Sequence, residues 1–300
     1  MAHLALLFAA LVWGVTFVIV HQALEDMPVF HLLAYRFALG ALLLAPLAWR
    51  RMRKSGAAWR PLLRDGLLVG VLLFAGYAFQ TYGLLWTTPS RSAFLTGISV
   101  LLVPAFGWLT GSQRPRWAAV LGAVAATAGL WVMFQPWGLA GAAGGAAFNL
   151  GDALTLACAT SFAAHVLLVE RTVRRHPVVG LAMVQFVVVA ALSAPSLLLT
   201  PPAAHHFTPS SLFAVAVTGV FATAIAFACQ LYAQTRLGAV ETSVLLTLEP
   251  VAAAALSLAL GRESLTLGLA VGGLLIFSGM LATAFSEAPP EPPGAAAPRS

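Results

Sequence analysis

The chain has 300 residues, of which 60% are hydrophobic and 9% charged, with a formal net charge of +6. Soluble domains carry about 25% charged residues, so a chain this apolar cannot cover a water-facing surface and its solvent is mostly lipid. The basic residues cluster between apolar segments rather than on one face, which argues against a nucleic-acid partner.

Crossing the hydrocarbon takes about 20 apolar residues as a helix. The first run, Leu4 to Val20, has no basic segment before it and is long enough to span, so it reads as a membrane helix rather than a cleaved signal. Further spans are predicted at 29–49, 66–87, 91–111 and 116–135, then at 150–170, 178–199, 210–234, 238–260 and 264–286, the first being 3–23. The long uncharged stretch from Val178 to Thr235 is divided by Pro201, Pro202, His205 and His206. The stretch after Trp117 is divided at Gln135-Pro136-Trp137-Gly138 and a Gly-Ala loop that leads to Asp152. The expectation is an all-α membrane protein of ten transmembrane helices. Residues 1–137 form one five-helix unit, 138–149 a linker, 150–286 a second unit, and 287–300 a disordered Pro- and Ala-rich tail. Cys158 and Cys229 both fall in apolar runs and are expected to be reduced packing residues, with no metal spacing and no cofactor motif.

Charge placement tests this map. With the N-terminus in the cytoplasm, Arg50, Arg51, Arg53, Lys54, Arg60, Arg64, Arg114, Arg116, Arg171, Arg174, Arg175, Arg236 and Arg299 all face inward. Arg91 and Arg262 face outward, and Arg36 lies within a span. The map therefore predicts a multi-pass protein of the cell (inner) membrane with both termini cytoplasmic. Removing one span from the middle would invert every later loop and destroy the bias.

The chain also repeats itself. At an offset of 149, Pro28 falls on Pro177; at 150, Gln80 and Tyr82 fall on Gln230 and Tyr232, and Gly111, Gly122 and Gly129 fall on Gly261, Gly272 and Gly279. Five spans per unit is an odd number, so the second unit enters from the opposite side. Two inverted repeats around a midplane site are the basis of alternating access in many secondary transporters.

Ionisable groups inside the bilayer are expensive and each requires a reason. Glu249 lies near the middle of the ninth span, and Pro250 after it frees the carbonyl of Leu246. It reads as a cavity carboxylate facing a substrate ammonium or a proton, or as a protonated side chain capped by a neighbouring helix. Arg36 lies roughly 10 Å below the outer edge at 1.5 Å per residue. It can hold a substrate carboxylate, pair with Glu249, or snorkel outward. Trp49, Trp86, Trp108, Trp117, Trp131 and Trp137 form an interfacial belt, whereas Trp13 sits at mid-depth one turn from Thr16, as a cavity wall or as packing. Tyr77 and Gln80 share a face at i, i+3 spacing. By the repeat, Gln80 corresponds to Gln230, Arg36 to Gln185 and Thr16 to His165. Two polar layers are thus expected, one toward each entrance, with Ser99 and Glu249 between them. Ala118, Gly122, Ala126 and Gly268, Gly272 are small-residue stripes that permit close helix contact, within one chain or across a homodimer.

The stretch Val12-Trp13-Gly14-Val15-Thr16-Phe17 is similar to the first-helix signature of the EamA family of the drug/metabolite transporter superfamily. Tyr35-Arg36-Phe37, Ser90-Arg91-Ser92-Ala93-Phe94-Leu95-Thr96-Gly97, and Leu248-Glu249-Pro250-Val251 with Gly261-Arg262-Glu263 resemble its later motifs, in the right order. The resemblance implies ten helices, a cavity lined by spans 1–4 and 6–9 with spans 5 and 10 peripheral, and export of amino acids or related small metabolites. The aromatic-amino-acid exporters of the superfamily are one candidate class. The expected function is a secondary transporter of small amphipathic metabolites, with proton coupling through Glu249 left open. The rivals are an exporter of hydrophobic cationic drugs and a non-transport membrane scaffold. There is no Walker A loop, His-Glu-x-x-His or Gly-x-Ser-x-Gly elbow to suggest an enzyme.

Overall fold

The computed structural model describes residues 1–87, 89–111, 117–134, 149–200, 207–259 and 267–285. The elements in chain order are α1 (Ala2–Ala23), α2 (Val29–Ser55), α3 (Trp59–Gly83), α4 (Pro89–Gly97), α5 (Ser99–Leu109), α6 (Trp117–Phe134) and α7 (Leu150–Val173). There follow α8 (Val178–Ser193), α9 (Pro195–Leu199), α10 (Pro209–Val217), a π-helical segment (Thr218–Ile225), α11 (Ala226–Gln234), α12 (Ala239–Leu246), α13 (Leu248–Ala259) and α14 (Leu267–Phe285). Among the described residues, eight helical rods are long and apolar enough to cross a membrane; two more, over Val120–Val132 and Ala270–Gly279, are apolar and shorter. The loop segments expected at 135–148 and 201–206, the Gly261-Arg262-Glu263 turn and the tail beyond 286 lie outside the described residues.

Three predicted boundaries move most. α2 continues past residue 49 through its arginines to Ser55, because Arg and Lys are good helix formers, and it ends at Gly56 with φ 64°, a left-handed cap open to glycine. α3 starts at Trp59 with Pro61 in its first turn, where the missing N–H costs nothing, and stops at Gly83. The basic cluster from Arg50 to Arg64 thus sits largely on two helix tails.

Four predicted spans are interrupted. The fourth breaks at Ile98 between α4 and α5, and the ninth at Thr247 between α12 and α13. The difference is 149, the repeat offset. The seventh breaks before Pro195, as a proline requires. The eighth carries the π-helical stretch.

Helix packing follows the same arithmetic. α6 lies along α14 and α2 along α8; α3 packs on α7 and α8, α1 on α11, α12 and α13, and α4 and α5 on α7, with α4 also on α13. Glycines set the closest approaches. A Cβ on Gly129 would stand 2.6 Å from the Gly272 carbonyl, and one on Gly279 would stand 2.6 Å from the Gly122 carbonyl. These two contacts exchange under the offset of 150. Likewise Gly70 meets Val188 and the Gln185 backbone, while Gly219 meets Leu39 and the Arg36 carbonyl, an exchange at 149. The glycine stripes of α6 and α14 therefore pack against each other within one chain. Leu42, Leu67, Leu121, Leu274 and Phe277 are exposed on the outer surface, consistent with lipid as the solvent of this bundle.

Candidate functional site

A cavity of about 80 Å³ opens between the helices, large enough for several waters. Both helix breaks border it, through Gly97 and Ser99 on one side and Leu246, Thr247, Glu249 and Pro250 on the other. Irregular backbone at membrane depth is tolerated where it is buried in protein or lines such a cavity.

Nine of the sequence-predicted residues line it: Trp13, Thr16, Arg36, Tyr77, Gln80, Ser99, His165, Gln230 and Glu249. Gln185 does not. It is fully buried behind His165, whose Nε2 donates to its Oε1 at 2.9 Å. The seventh span, α8 with α9, accordingly contributes no lining residue, a departure from the expected eight-helix lining. Among the described residues, α6 and α14 contribute no lining side chain either.

Each charged group has a specific setting. Arg36 is 3% exposed; its Nε donates to the Thr223 hydroxyl at 3.2 Å and its guanidinium carbon lies 4.8 Å from the Tyr77 ring centroid. Arg36 does not snorkel, and it does not ion-pair with Glu249. A buried guanidinium over aromatic faces retains part of the stabilisation it loses on leaving water. Glu249 sits in the first turn of α13, where the helix dipole favours a negative charge. Among the described residues its carboxylate has neither a hydrogen-bond nor an ion-pair partner. Arg36 and Glu249 thus face one cavity with no ion pair between them among the described residues.

The remaining polar lining is only partly satisfied. Gln80 Nε2 donates to Thr96 Oγ1 at 3.2 Å. Gln230 is 2% exposed and its Oε1 has no partner. Thr16 bonds back to the Trp13 carbonyl at 2.8 Å, one turn earlier. Trp13 both lines the cavity and holds the fold, since its Nε1 donates to the Ala222 carbonyl at 2.7 Å. That carbonyl lies inside the π-helical stretch, a distortion often found at functional sites.

Trp13, Tyr77, Phe162 and Phe227 of the lining are linked by an aromatic chain that passes behind the cavity through the buried Phe37 and Phe186. Centroid separations are 4.8 Å for Trp13–Phe227, 5.5 Å for Phe227–Phe186, 5.8 Å for Phe186–Phe37, 5.0 Å for Phe37–Tyr77 and 5.4 Å for Tyr77–Phe162. Each such pair contributes about 0.5–1.5 kcal/mol beyond burial. The chain reads the same in both directions, because Trp13 and Phe162 differ by 149, Phe37 and Phe186 by 149, and Tyr77 and Phe227 by 150.

Sequence reasoning missed Phe162, Phe227, Thr96, Ser243 and Thr247, which also line the cavity. Hydroxyls that bond back to their own helix, as Ser243 does to Val240 and Thr247 to Val244, carry no signal of their own. Thr96 lay in the fourth-span motif but was not singled out.

A lipid-facing helical bundle, broken at the level of a half-polar central cavity, is the architecture of a membrane solute transporter. The chain belongs to the EamA-like transporter family, whose model matches residues 1–135 and 149–285. It is 31% identical over 265 residues to an uncharacterized transporter of Archaeoglobus fulgidus, covering 88% of this chain and 80% of that one. A second uncharacterized transporter of the same organism is 25% identical over 289 residues, covering 94% and 96%. A solved crystal structure, 23% identical, superposes with a TM-score of 0.77 over 95% of this chain and 96% of its own, which establishes the likeness of fold. Family and relatives alike are named as transporters rather than enzymes.

Proposed function

We propose that this protein is a secondary transporter of the inner membrane that exports amino acids or closely related amphipathic metabolites by alternating access, through ten helices in two inverted halves. The observation that carries the substrate class is the cavity itself. It presents a guanidinium, Arg36, and a carboxyl group, Glu249, that are not ion-paired among the described residues, beside aromatic lining side chains. A zwitterion with an apolar side chain complements all three: its carboxylate meets Arg36, its ammonium meets Glu249, and its side chain lies against Trp13, Tyr77 and Phe227. A phosphorylated sugar would require clustered bases, and among the described residues Arg36 is the one base in the lining.

Three patterns support the inverted halves. The helix breaks at 98 and 247, the exchanged glycine contacts and the palindromic aromatic chain all obey one offset. An odd number of spans per half makes that relation an inversion. Rocking one half against the other about the Phe37–Phe186 pair would open the cavity to each side in turn.

The test is uptake of labelled amino acids into proteoliposomes by the native protein and by Glu249→Gln and Arg36→Ala. Both variants should lose most of the flux. Equal flux in all three would remove the site assignment. Cationic-dye uptake with no amino-acid flux would make this a drug carrier instead. No flux of either kind would favour a scaffold.

A further inference from the structure

On the outer surface, α2 and the π-helical stretch with α11 border a groove of about 410 Å³. Leu43 and Leu44 form one wall; Val220, Ala224, Cys229 and Tyr232 belong to the other. The two elements run side by side in the same direction. The Tyr35 ring lies 5.5 Å from Phe207, then Gly40 meets Thr223, and the groove follows toward the end that carries Arg50 to Arg64. Before the groove begins, the Arg36–Thr223 bond ties α2 to the π-helical stretch. α11 turns Phe227 and Gln230 to the central cavity but Cys229 and Tyr232 to the groove, so the two spaces lie on different faces of one helix.

Both walls end in basic side chains. On α2, Leu43, Leu44, Leu47, Arg50, Arg51 and Lys54 share one face at helical spacing, the continuation of the face on which Gly40 meets Thr223. On the other wall, Arg236 follows Tyr232 by one turn, with its guanidinium carbon 4.2 Å from the Tyr232 ring centroid. Arg50, Arg51 and Arg236 are exposed. Among the described residues none of the three is ion-paired, and Arg236 donates to the neutral Thr235 hydroxyl at 3.0 Å.

The repeat does not require this groove. At the offset of 150, Ala224, Cys229 and Arg236 correspond to Phe74, Phe79 and Trp86; at 149, Arg50 and Arg51 correspond to Leu199 and Thr200. There Phe74 stacks on Phe30 at 6.1 Å and Tyr82 meets Trp86 at 5.0 Å, and α3 packs along α8. Membrane topology favours arginine at one end of a span, but it does not ask for small residues beneath it. One half fills the seam with rings; the other keeps small side chains in the seam and cations at its rim.

We propose that this groove binds an acyl chain of an anionic phospholipid, with Arg51 and Arg236 on the phosphate and the chain bracing α2 against α11. From Val220 to Tyr232 the groove spans roughly 18 Å at 1.5 Å per residue, and one leaflet, half of the bilayer core, offers about 15 Å of hydrocarbon. Walls of Leu, Val and Ala give a polar solute nothing to bond, whereas guanidinium groups pair with phosphate through parallel N–H donors. Basic residues between membrane helices at the membrane surface are recurrent headgroup sites, and each strengthens an anionic lipid's binding about fivefold. The site requires only that the bundle sits in lipid and is independent of the solute in the cavity.

The test is native mass spectrometry of the full chain in detergent, titrated with phosphatidylglycerol and, separately, with phosphatidylcholine of the same acyl chains. The native chain should bind one phosphatidylglycerol about 10- to 30-fold more tightly than phosphatidylcholine, whose phosphate is offset by its own choline. Arg51→Gln with Arg236→Gln should abolish the preference. Arg53→Gln with Arg60→Gln, equal in charge but off the groove face, should keep it. Ala224→Phe with Cys229→Phe, which gives the seam the rings of its counterpart, should weaken both lipids. The arginines are exposed, so the two glutamine pairs decide the matter whether or not the phenylalanine pair folds. Equal binding of the two lipids by the native chain would mean annular lipid only and would overturn the proposal. So would equal loss of preference in both glutamine pairs, or a native dimer that the phenylalanine pair dissolves, since a second copy would then occupy the groove.

Discussion

Gly14 is where α1 touches α13 between two cavity residues, Trp13 and Glu249. A Cβ at Gly14 would stand 2.3 Å from the Glu249 carbonyl oxygen and 2.7 Å from Ala252 Cβ, with Ala253 N at 3.1 Å. Ordinary contact begins near 3.4 Å, so Gly14→Ala must part the two helices by about 1.1 Å at the first of these. The obstacle is backbone and cannot swing aside. Overpacking of this kind costs about 1–3 kcal/mol, which corresponds to a Tm lower by roughly 2–12 °C. A displacement of that size between groups that must act together also lowers turnover, here by roughly tenfold or more. The assays are thermal unfolding in detergent and proteoliposome uptake at low substrate. Gly180→Ala is the control, because its Cβ would meet only the ends of Leu62 and Met52 side chains, at 3.2 and 3.4 Å. Gly14→Ala with the Tm and uptake of the native protein would refute this account of the α1–α13 contact.

Thr223→Val removes the hydroxyl that receives Arg36 Nε at near-constant volume; we expect affinity for a zwitterionic substrate to fall about three- to tenfold, measured as KM, with Tm nearly unchanged. Gly129→Val, which would drive a side chain into the Gly272 carbonyl, should lower Tm by several degrees without changing KM in the folded fraction, since among the described residues α6 and α14 contribute no lining side chain. Trp13→Phe should cost about 1 kcal/mol of stability through the lost bond to the Ala222 carbonyl, read by thermal unfolding, and should reduce uptake as well.

The residues that announce themselves in the sequence are those that violate a lipid environment. Arg36, Glu249 with Pro250, and the mid-depth Trp13 were legible because a charge, a helix-breaking ring or an indole at that depth needs a cause. Their assembly into one cavity follows from packing that periodicity does not encode. The break at Ile98 has no proline at its site. It is stabilised by its position on the cavity and by Gly97 against Leu130. The π-helical stretch is fixed from outside, by the Trp13 indole on Ala222 and Arg36 on Thr223. The sequence leaves Arg36 three roles, holding a substrate carboxylate, pairing with Glu249 or reaching the outer interface; its contacts within the protein are Thr223 and Tyr77.

Accessibility from the two sides of the membrane tests the inverted halves most directly. Glu25, between α1 and α2, and Arg175, between α7 and α8, differ by the repeat offset of 150. In a background with Cys158 and Cys229 replaced by alanine, Glu25→Cys should react with an impermeant maleimide added to intact cells. Arg175→Cys should react only after the membrane is opened. Labelling of both positions from the same side would contradict the inversion, and the transport cycle built on it.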